Sequence, residues 1–479
     1  MSWRGRCSAG LSGCFASPRF VFSSAGFEGT AAPDWVLGWV ERGLGGVVLF
    51  GRNIETREQV EALTRRLRGE GELLVATDEE GGDVTRLEAR VGSSYPGNWA
   101  LGIVDDAALT EQVAASIASE LSEVGINFDF APVADVNSNP DNPVIGIRSF
   151  GSDPKLVSRH VSAFVSGLQR QGVAACAKHF PGHGDTSQDS HLELPVVEGD
   201  VAEALEPFKA AIGAGVRSIM TAHIRVPSLD AEQATLSRRI LHELLRDELG
   251  FDGVAITDAL EMRAVSATVG IEEGAVRALA AGADALCIGA DVDDALVGSV
   301  HRAIVDAVRS GRLPKERLNE AAGRVRELAG WAAAPSPGGV RRELGAEAAK
   351  RALLVEGDVR LTGKPFVVEL RPTASIAAGD AEHGLADVLG ADAAVVSEET
   401  APPSPEGRPL VIVVRDAHRH TWERRTVERL LAESPDAVVV EVGLPLWRPG
   451  GASWLATHGG GRANFEAAAA VLSPDAVAV

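Results

Sequence analysis

The sequence predicts a (β/α)8 TIM barrel followed by a smaller α/β domain of the αβα sandwich type. Three observations predict it. Short apolar runs rich in Val, Ile and Phe alternate with amphipathic segments through the first 330 residues or so. The alternation breaks at the small-residue, Pro/Gly stretch "AAAPSPGG". A second, shorter alternation follows it. The chain has 479 residues, too many for one ordinary core.

The strand candidates of the barrel are "RFVF" (19–22), "GVVLFG" (46–51), "LLVATD" (73–78), "INFDFAP" (126–132), "VAACAKHF" (173–180), "SIMTAHI" (218–224), "GVAITDA" (253–259) and "ADALCIGA" (283–290). Between them, "REQVEALTRRLRG", "LTEQVAASIASELSEVG", "KLVSRHVSAFVSGLQRQG" and "SRRILHELLRDELG" repeat their apolar residues at three and four, as helices do, and end at Gly. Strand–helix alternation builds right-handed parallel units. A doubly wound open sheet is the runner-up, but no G-x-G-x-x-G follows the first run. The expected division is a tail at 1–18, the barrel at 19–331, a linker at 332–340 and the second domain at 341–479. In that domain "PFVVEL", "LVIVVRD" and "DAVVVEVG" read as strands, and "WERRTVERLLAE" and "RANFEAAAAVL" as helices. The three glycines of "THGGGRANFEAAAA" could cradle an anion at a helix start, but the P-loop lysine is missing, and a turn opening a helix is the better reading.

A net charge of -21 argues against a nucleic-acid or anionic-membrane partner and is compatible with neutral ligands such as sugars. No apolar run is long enough to span a membrane. The N-terminal "MSWRGRCSAGLSGC" carries early arginines and an "LSGC" box, but no sustained apolar region precedes Cys14. No export signal is expected, and a cytoplasmic location is. Cys176 and Cys287 sit in apolar runs and read as buried thiols; Cys7 and Cys14 lie in the tail, and no C-x-x-C pair indicates zinc or a disulfide framework. The oligomeric state stays open.

A barrel places its chemistry at the C-terminal ends of its strands. Asp78, the pair Lys178 and His179, His223 and Asp258 all fall there. One such residue can simply start a loop, but four strands with Asp, Lys or His at the same end form a pattern. The most unusual stretch is "KHFPGHGDTSQDSHLELP" (178–195). His179, His183, Asp185, Asp189 and His191 are all possible metal ligands, but H-E-x-x-H is absent and Pro181 with its flanking glycines rules out a helix holding the pair. No metal or cofactor is expected. Asp189 and His191 flank Ser190, so the carboxylate can accept an imidazole N–H and leave the other nitrogen as a general acid or base. A plain surface Asp–His bond fits that spacing as well. Asp258 in "VAITDALEM" would point into the barrel mouth, where a carboxylate could attack an anomeric carbon; capping the next helix is its bland alternative. Asp78 in "TDEEGGDVTRL" could bind two sugar hydroxyls, and the long loop "NSNPDNPVIGIRSFG" (137–151) carries Arg148.

Taken in order, "DEEGGDVTRL", "APVADVNSNPDNPVIGIRSFG", "KHFPGHGDTSQDSH" and "AITDALEM" closely resemble glycoside hydrolase family 3, and its β-N-acetylglucosaminidase branch in particular. The likeness covers roughly residues 20–330; the C-terminal part resembles only loosely the extra α/β domain of some members. The resemblance implies a retaining, exo-acting enzyme on terminal N-acetylglucosaminides. Asp258 would be the nucleophile and His191, held by Asp189, the acid/base. Asp78, Arg148, Lys178 and His179 would bind hydroxyls of the terminal sugar, with His183 and His223 placed among the substrate-binding candidates and His223 balanced between lining and structure. The residue after Asp258 is Ala, which leaves the aglycone side undefined, whether a muropeptide sugar of cell-wall recycling or a chitin fragment. A neutral imidazole does not repel an incoming anion, so phosphorolysis with the same residues is the live variant. A β-glucosidase and a sugar-binding protein without chemistry are further alternatives, both disfavoured by the intact Asp-Ser-His loop.

Overall fold

The computed structural model describes residues 23–69, 71–290, 292–333, 338–372 and 383–474. The 19–22 run, the tail with Cys7 and Cys14, and residues 334–337 of the linker lie outside them.

Eight parallel strands close into a barrel. They are Ser23–Ala25, Gly46–Val48, Leu74–Thr77, Phe128–Asp129, Ala174–Phe180, Ser218–Thr221, Val254–Ala259 and Ala285–Gly289. The first strand pairs with both the second and the eighth, which completes the ring. Seven of the runs read as strands thus form strands, each shorter than its run, and the eighth place is filled by Ser23–Ala25, just past the run at 19–22. The interior is filled by Phe128 and Phe130, packed edge to face at 5.1 Å, against small neighbours such as Ala76, Ala174 and Ala285. Large and small side chains at facing positions fill a tapered core without voids.

The expected helices form at Arg57–Arg68, Ala107–Glu123, Pro154–Arg170 and, wound as a π-helix, Arg239–Glu248. Side chains of Thr56, Asp106 and Asp153 accept the first free backbone N–H groups of the first three. Their apolar faces pack outside the barrel, with Gly167 allowing close approach: a Cβ there would lie 2.3 Å from the Glu111 carbonyl oxygen.

At the N-terminal end of the barrel, buried Asp284 accepts the Ala255 backbone N–H at 3.0 Å and pairs with Arg246 (2.5 Å), Arg317 and Arg324 (3.2 Å). One carboxylate thus holds three arginines from two helices, Arg239–Glu248 and Lys315–Trp331.

The C-terminal unit is a six-stranded sheet, in the order Leu354–Glu356, Ser453–Ala456, Val438–Glu441, Leu410–Val414, Phe366–Leu370, Asp392–Val396. The first strand runs antiparallel and the rest run parallel. Helix Thr421–Glu433 covers one face through Val427 and Leu430, and helix Arg462–Leu472 covers the other through Phe465 and Ala468. Asp392–Val396 and Ser453–Ala456 are not among the strands expected from sequence. "DAAVV" is as long as the strands that were expected but alanine-rich, and "SWLA" is short and carries no β-branched residue, so neither announces itself. Helix Glu343–Ala352 docks the unit on the barrel: Gly345 packs so closely on Ser94 that a Cβ would sit 2.0 Å from its carbonyl oxygen. Among the described residues no helix is long and apolar enough to cross a membrane.

Asp284→Ala is expected to lower the unfolding free energy by about 3–5 kcal/mol, since it leaves buried positive charge unpaired. Urea unfolding of the full chain measures it, and the folded fraction should keep wild-type turnover because Asp284 lies at the end of the barrel away from the mouth.

Candidate active site

The C-terminal ends of strands three to seven deliver the polar residues of the mouth. Asp78 follows the third strand, Lys178 and His179 lie near the end of the fifth, His223 follows the sixth and Asp258 lies near the end of the seventh. Arg148 comes from a short 3-10 turn, Gly146–Arg148, in the long loop after the fourth.

Their hydrogen bonds sort them into three groups. In the first, Lys178 Nζ donates to Asp78 Oδ1 and lies equally close to Glu80 Oε1, 2.7 Å from each. Arg148 grips Glu80 with both arms of its guanidinium, at 3.0 and 2.8 Å. Burial would favour the neutral form of each of these groups. Opposite charge outweighs burial, so Glu80 is held well below the usual carboxylate range and Lys178 and Arg148 are held above their ordinary values. Arg86 approaches Asp78 at 3.8 Å.

In the second group, fully buried Asp135 accepts the His179 ring Nδ1–H at 2.8 Å and the His183 backbone N–H at 2.7 Å. This fixes the His179 tautomer and turns its Nε2 away from the carboxylate. His183 is buried, with Nδ1 2.8 Å from Thr186 Oγ1 and Nε2 3.0 Å from Ser190 Oγ. Both ring nitrogens serve the loop that carries Asp189 and His191. Burial pushes the His183 pKa down to about 4, so its ring is neutral at ordinary pH.

The third group contains Asp189, His191, Asp258 and His223. His191 donates both its backbone N–H (2.8 Å) and its ring Nδ1–H (2.7 Å) to Asp189 Oδ1. Burial would lower His191, but the Asp189 hydrogen bond and the charges of Asp258 and Asp189 outweigh it and raise its pKa. Burial would raise Asp258, but His179, His223 and His191 around it hold it down at about 2. The Ala259 N–H donates to Asp258 Oδ1 at 2.8 Å. His223 is fully buried, its Nε2–H donating to the Ala259 carbonyl at 3.1 Å and its Nδ1 2.8 Å from Thr235 Oγ1. It therefore braces the backbone beside Asp258.

All nine residues singled out from sequence come to one end of the barrel. Seven line the mouth, while His183 and His223 stand behind it. Glu80, Asp135 and Arg86 were not singled out. A buried acid inside an otherwise apolar stretch, as in "FAPVADV" for Asp135, was the available signal; Glu80 was one of two adjacent glutamates with nothing to choose between them. Of the five metal-ligand candidates in the 178–195 stretch, His179 bonds Asp135, His183 bonds Thr186 and Ser190, Asp185 bonds Ser138, and Asp189 and His191 bond each other; among the described residues no group of three or more His, Cys, Asp or Glu could hold a metal ion. Cys176 and Cys287 are both buried, and burial pushes the Cys176 thiol up to about 12.

A closed (β/α)8 barrel with an aspartate and a carboxylate-backed histidine at its mouth is an arrangement that glycoside hydrolysis can use. Residues 37–328 match the "Glycosyl hydrolase family 3 N terminal domain", and the chain belongs to glycoside hydrolase family 3. It is 40% identical over 258 residues to a beta-hexosaminidase of Bordetella avium, covering 51% of this chain and 73% of that one. It is 35% identical over 316 residues to beta-hexosaminidase A of Pseudoalteromonas piscicida, covering 60% of this chain but only 53% of that longer relative. A family 3 beta-N-acetylglucosaminidase structure from Paenibacillus sp. str. FPU-7 superposes with a TM-score of 0.83 at 32% identity, covering 96% of this chain and 99% of the other.

Burial of the His183 ring predicts that its imidazole stays neutral from pH 8 down to about 4. NMR of the labelled ring checks this; a His183 titration near the free-histidine value would contradict the burial of the ring behind the mouth.

Proposed function

We propose that the protein is a retaining, exo-acting β-N-acetylglucosaminidase that removes terminal N-acetylglucosamine from oligosaccharides. Its main support is the electrostatic pairing at the mouth. Asp258 is ionised and lies in the field of His191, whose far side is tied to Asp189. The names of the two hexosaminidase relatives and of the Paenibacillus structure agree with it.

In this mechanism the terminal sugar lies with its anomeric carbon over Asp258. Protonated His191 gives its Nε2 proton to the glycosidic oxygen while Asp258 attacks, and the C–O bond to the aglycone breaks as the bond to the aspartate forms. His191, now neutral, takes a proton from water, which attacks the anomeric carbon and frees Asp258. Asp189 keeps the imidazole in the tautomer that serves both steps and stabilises its charged form. Asp78, Lys178, Arg148 and His179 bind the sugar hydroxyls, and the low pKa of Asp258 keeps the nucleophile charged throughout the working range.

Asp258→Ala should lower kcat by roughly a thousandfold or more against a chromogenic N-acetylglucosaminide; normal turnover would overturn the nucleophile assignment. Product analysis with and without phosphate separates the two acceptors. Free N-acetylglucosamine in both buffers is expected, whereas N-acetylglucosamine 1-phosphate with faster turnover in phosphate would make the enzyme a phosphorylase.

The pH dependence tests the dyad. His191 must be protonated for the first step, so kcat/KM should fall as pH rises through its elevated pKa. Asp189→Asn removes the bond and the charge that raise it, so the alkaline limb should move to lower pH, with a rate loss of roughly a hundredfold. An unmoved limb would show that Asp189 does not tune His191.

A further inference from the structure

Besides helix Glu343–Ala352 and the glycines before Arg462, the C-terminal unit reaches the barrel at the mouth through a short loop. Residues 415–419 follow the strand Leu410–Val414 and are held in shape from within their own unit. Buried Glu441 accepts the backbone N–H groups of Asp416 (2.9 Å), Ala417 (3.2 Å) and Gly443 (2.7 Å). Asp416 adopts a left-handed φ of 52° and accepts the Leu444 N–H at 2.7 Å, and Arg424 bonds the carbonyls of Ala417, at 2.8 Å, and His418. A loop bonded this densely is preorganised rather than adaptive.

It makes two contacts with the barrel. In the first, the Arg415 guanidinium pairs with Asp83, which also accepts the Gly460 backbone N–H at 2.6 Å. Asp83 closes the turn that starts at Asp78 and Glu80. The glycines of that turn press against Gly461 of the same unit, where a Cβ would sit 3.2 Å from the Gly82 Cα. In the second, His418 Nε2–H donates to the Pro140 carbonyl at 2.9 Å and Arg419 lies 3.3 Å from the Asn142 carbonyl. The Asn142 amide in turn donates to the His183 carbonyl at 2.8 Å, and the Asn139 amide to the Thr186 carbonyl at 3.2 Å. Those residues begin the loop that carries Asp189 and His191.

We propose that Arg415, His418 and Arg419 are positioning residues from the second unit, with separate tasks. Arg415 sets the sugar-binding loop of Asp78, Glu80 and Arg86 through Asp83. His418 and Arg419 set the acid/base loop through the 139–142 turn. The assignment rests on the proposed glycosidase chemistry, with neither contact touching substrate.

The test uses the full chain with Arg415→Ala, Arg415→Lys, the double variant His418→Ala/Arg419→Ala, and Arg448→Ala as a control whose ion pair with Glu356 stays within the C-terminal unit. Arg415→Ala should raise KM for a chromogenic N-acetylglucosaminide roughly tenfold with kcat within about threefold, because displacing a binding loop costs that order of effect. Arg415→Lys should restore most of it. The double variant should instead lower kcat and move the alkaline limb of His191 to lower pH, with KM little changed. Amide hydrogen exchange gives a readout free of turnover: Arg415→Ala should speed exchange in 79–88 and leave 183–191 alone, and the double variant should do the reverse. Identical kinetic and exchange signatures in both variants, or none beyond the control, would overturn the proposal. A wild-type enzyme inactive on the glycoside would refute the substrate reading, and the exchange pattern would still decide the two contacts.

Discussion

A single buried carboxylate, Glu80, makes the mouth of this barrel possible. Lys178 approaches from the fifth strand and Arg148 from the loop after the fourth, both taken out of water, and two buried cations cannot share a site without a counter-charge. Glu80 supplies it, with Asp78 completing the balance on the Lys178 side. Once these four charges are fixed, a set of N–H donors stands ready at the mouth without reorganising. The same logic repeats around Asp135, which orients His179 and anchors the turn to His183. Asp258 and His191, the proposed nucleophile and acid/base, thus sit among groups that already have their partners, and the Asp258 carboxylate is held low by the three histidines around it.

This division explains what the sequence could show. Asp78, Lys178, His179 and Asp258 each end an apolar run, and in a barrel that position has a geometric meaning before any contact is known. The Asp189–His191 pair was legible because its bond is local, two residues apart. Glu80 and Asp135 were not, because their partners lie 68 and 44 residues away, and the apolar setting of Asp135 points to burial without naming a partner. His183 and His223 show the opposite failure. Their place beside reactive residues drew them into the substrate-binding set, whereas the fold spends their nitrogens on Thr186, Ser190, Thr235 and a carbonyl.

The fold was legible to a similar depth. Strongly branched runs such as "LVIVV" and "FVVEL" became central strands of the second sheet, while the alanine-rich edge strand Asp392–Val396 gave no signal. Least visible was the contact between units. The pair Asp83–Arg415 spans 332 residues, and the "THGGGR" glycines, read as a turn opening a helix, do open one at Arg462 but also provide a flat surface against the barrel.

That glycine surface limits how the two units can change. A Cβ on Gly461 would lie 3.2 Å from the Gly82 Cα across the two units, and Gly82 in turn is pressed from behind by Gly97 of the barrel, where a Cβ would lie at 2.6 Å. A foreign C-terminal unit grafted onto this barrel would need a small residue at the matching place, since a larger side chain there would crowd the turn that starts at Glu80. The halves are therefore poor candidates for exchange by recombination, however similar the sheets of two relatives are, and changes at one surface are accepted only where the other already has room for them.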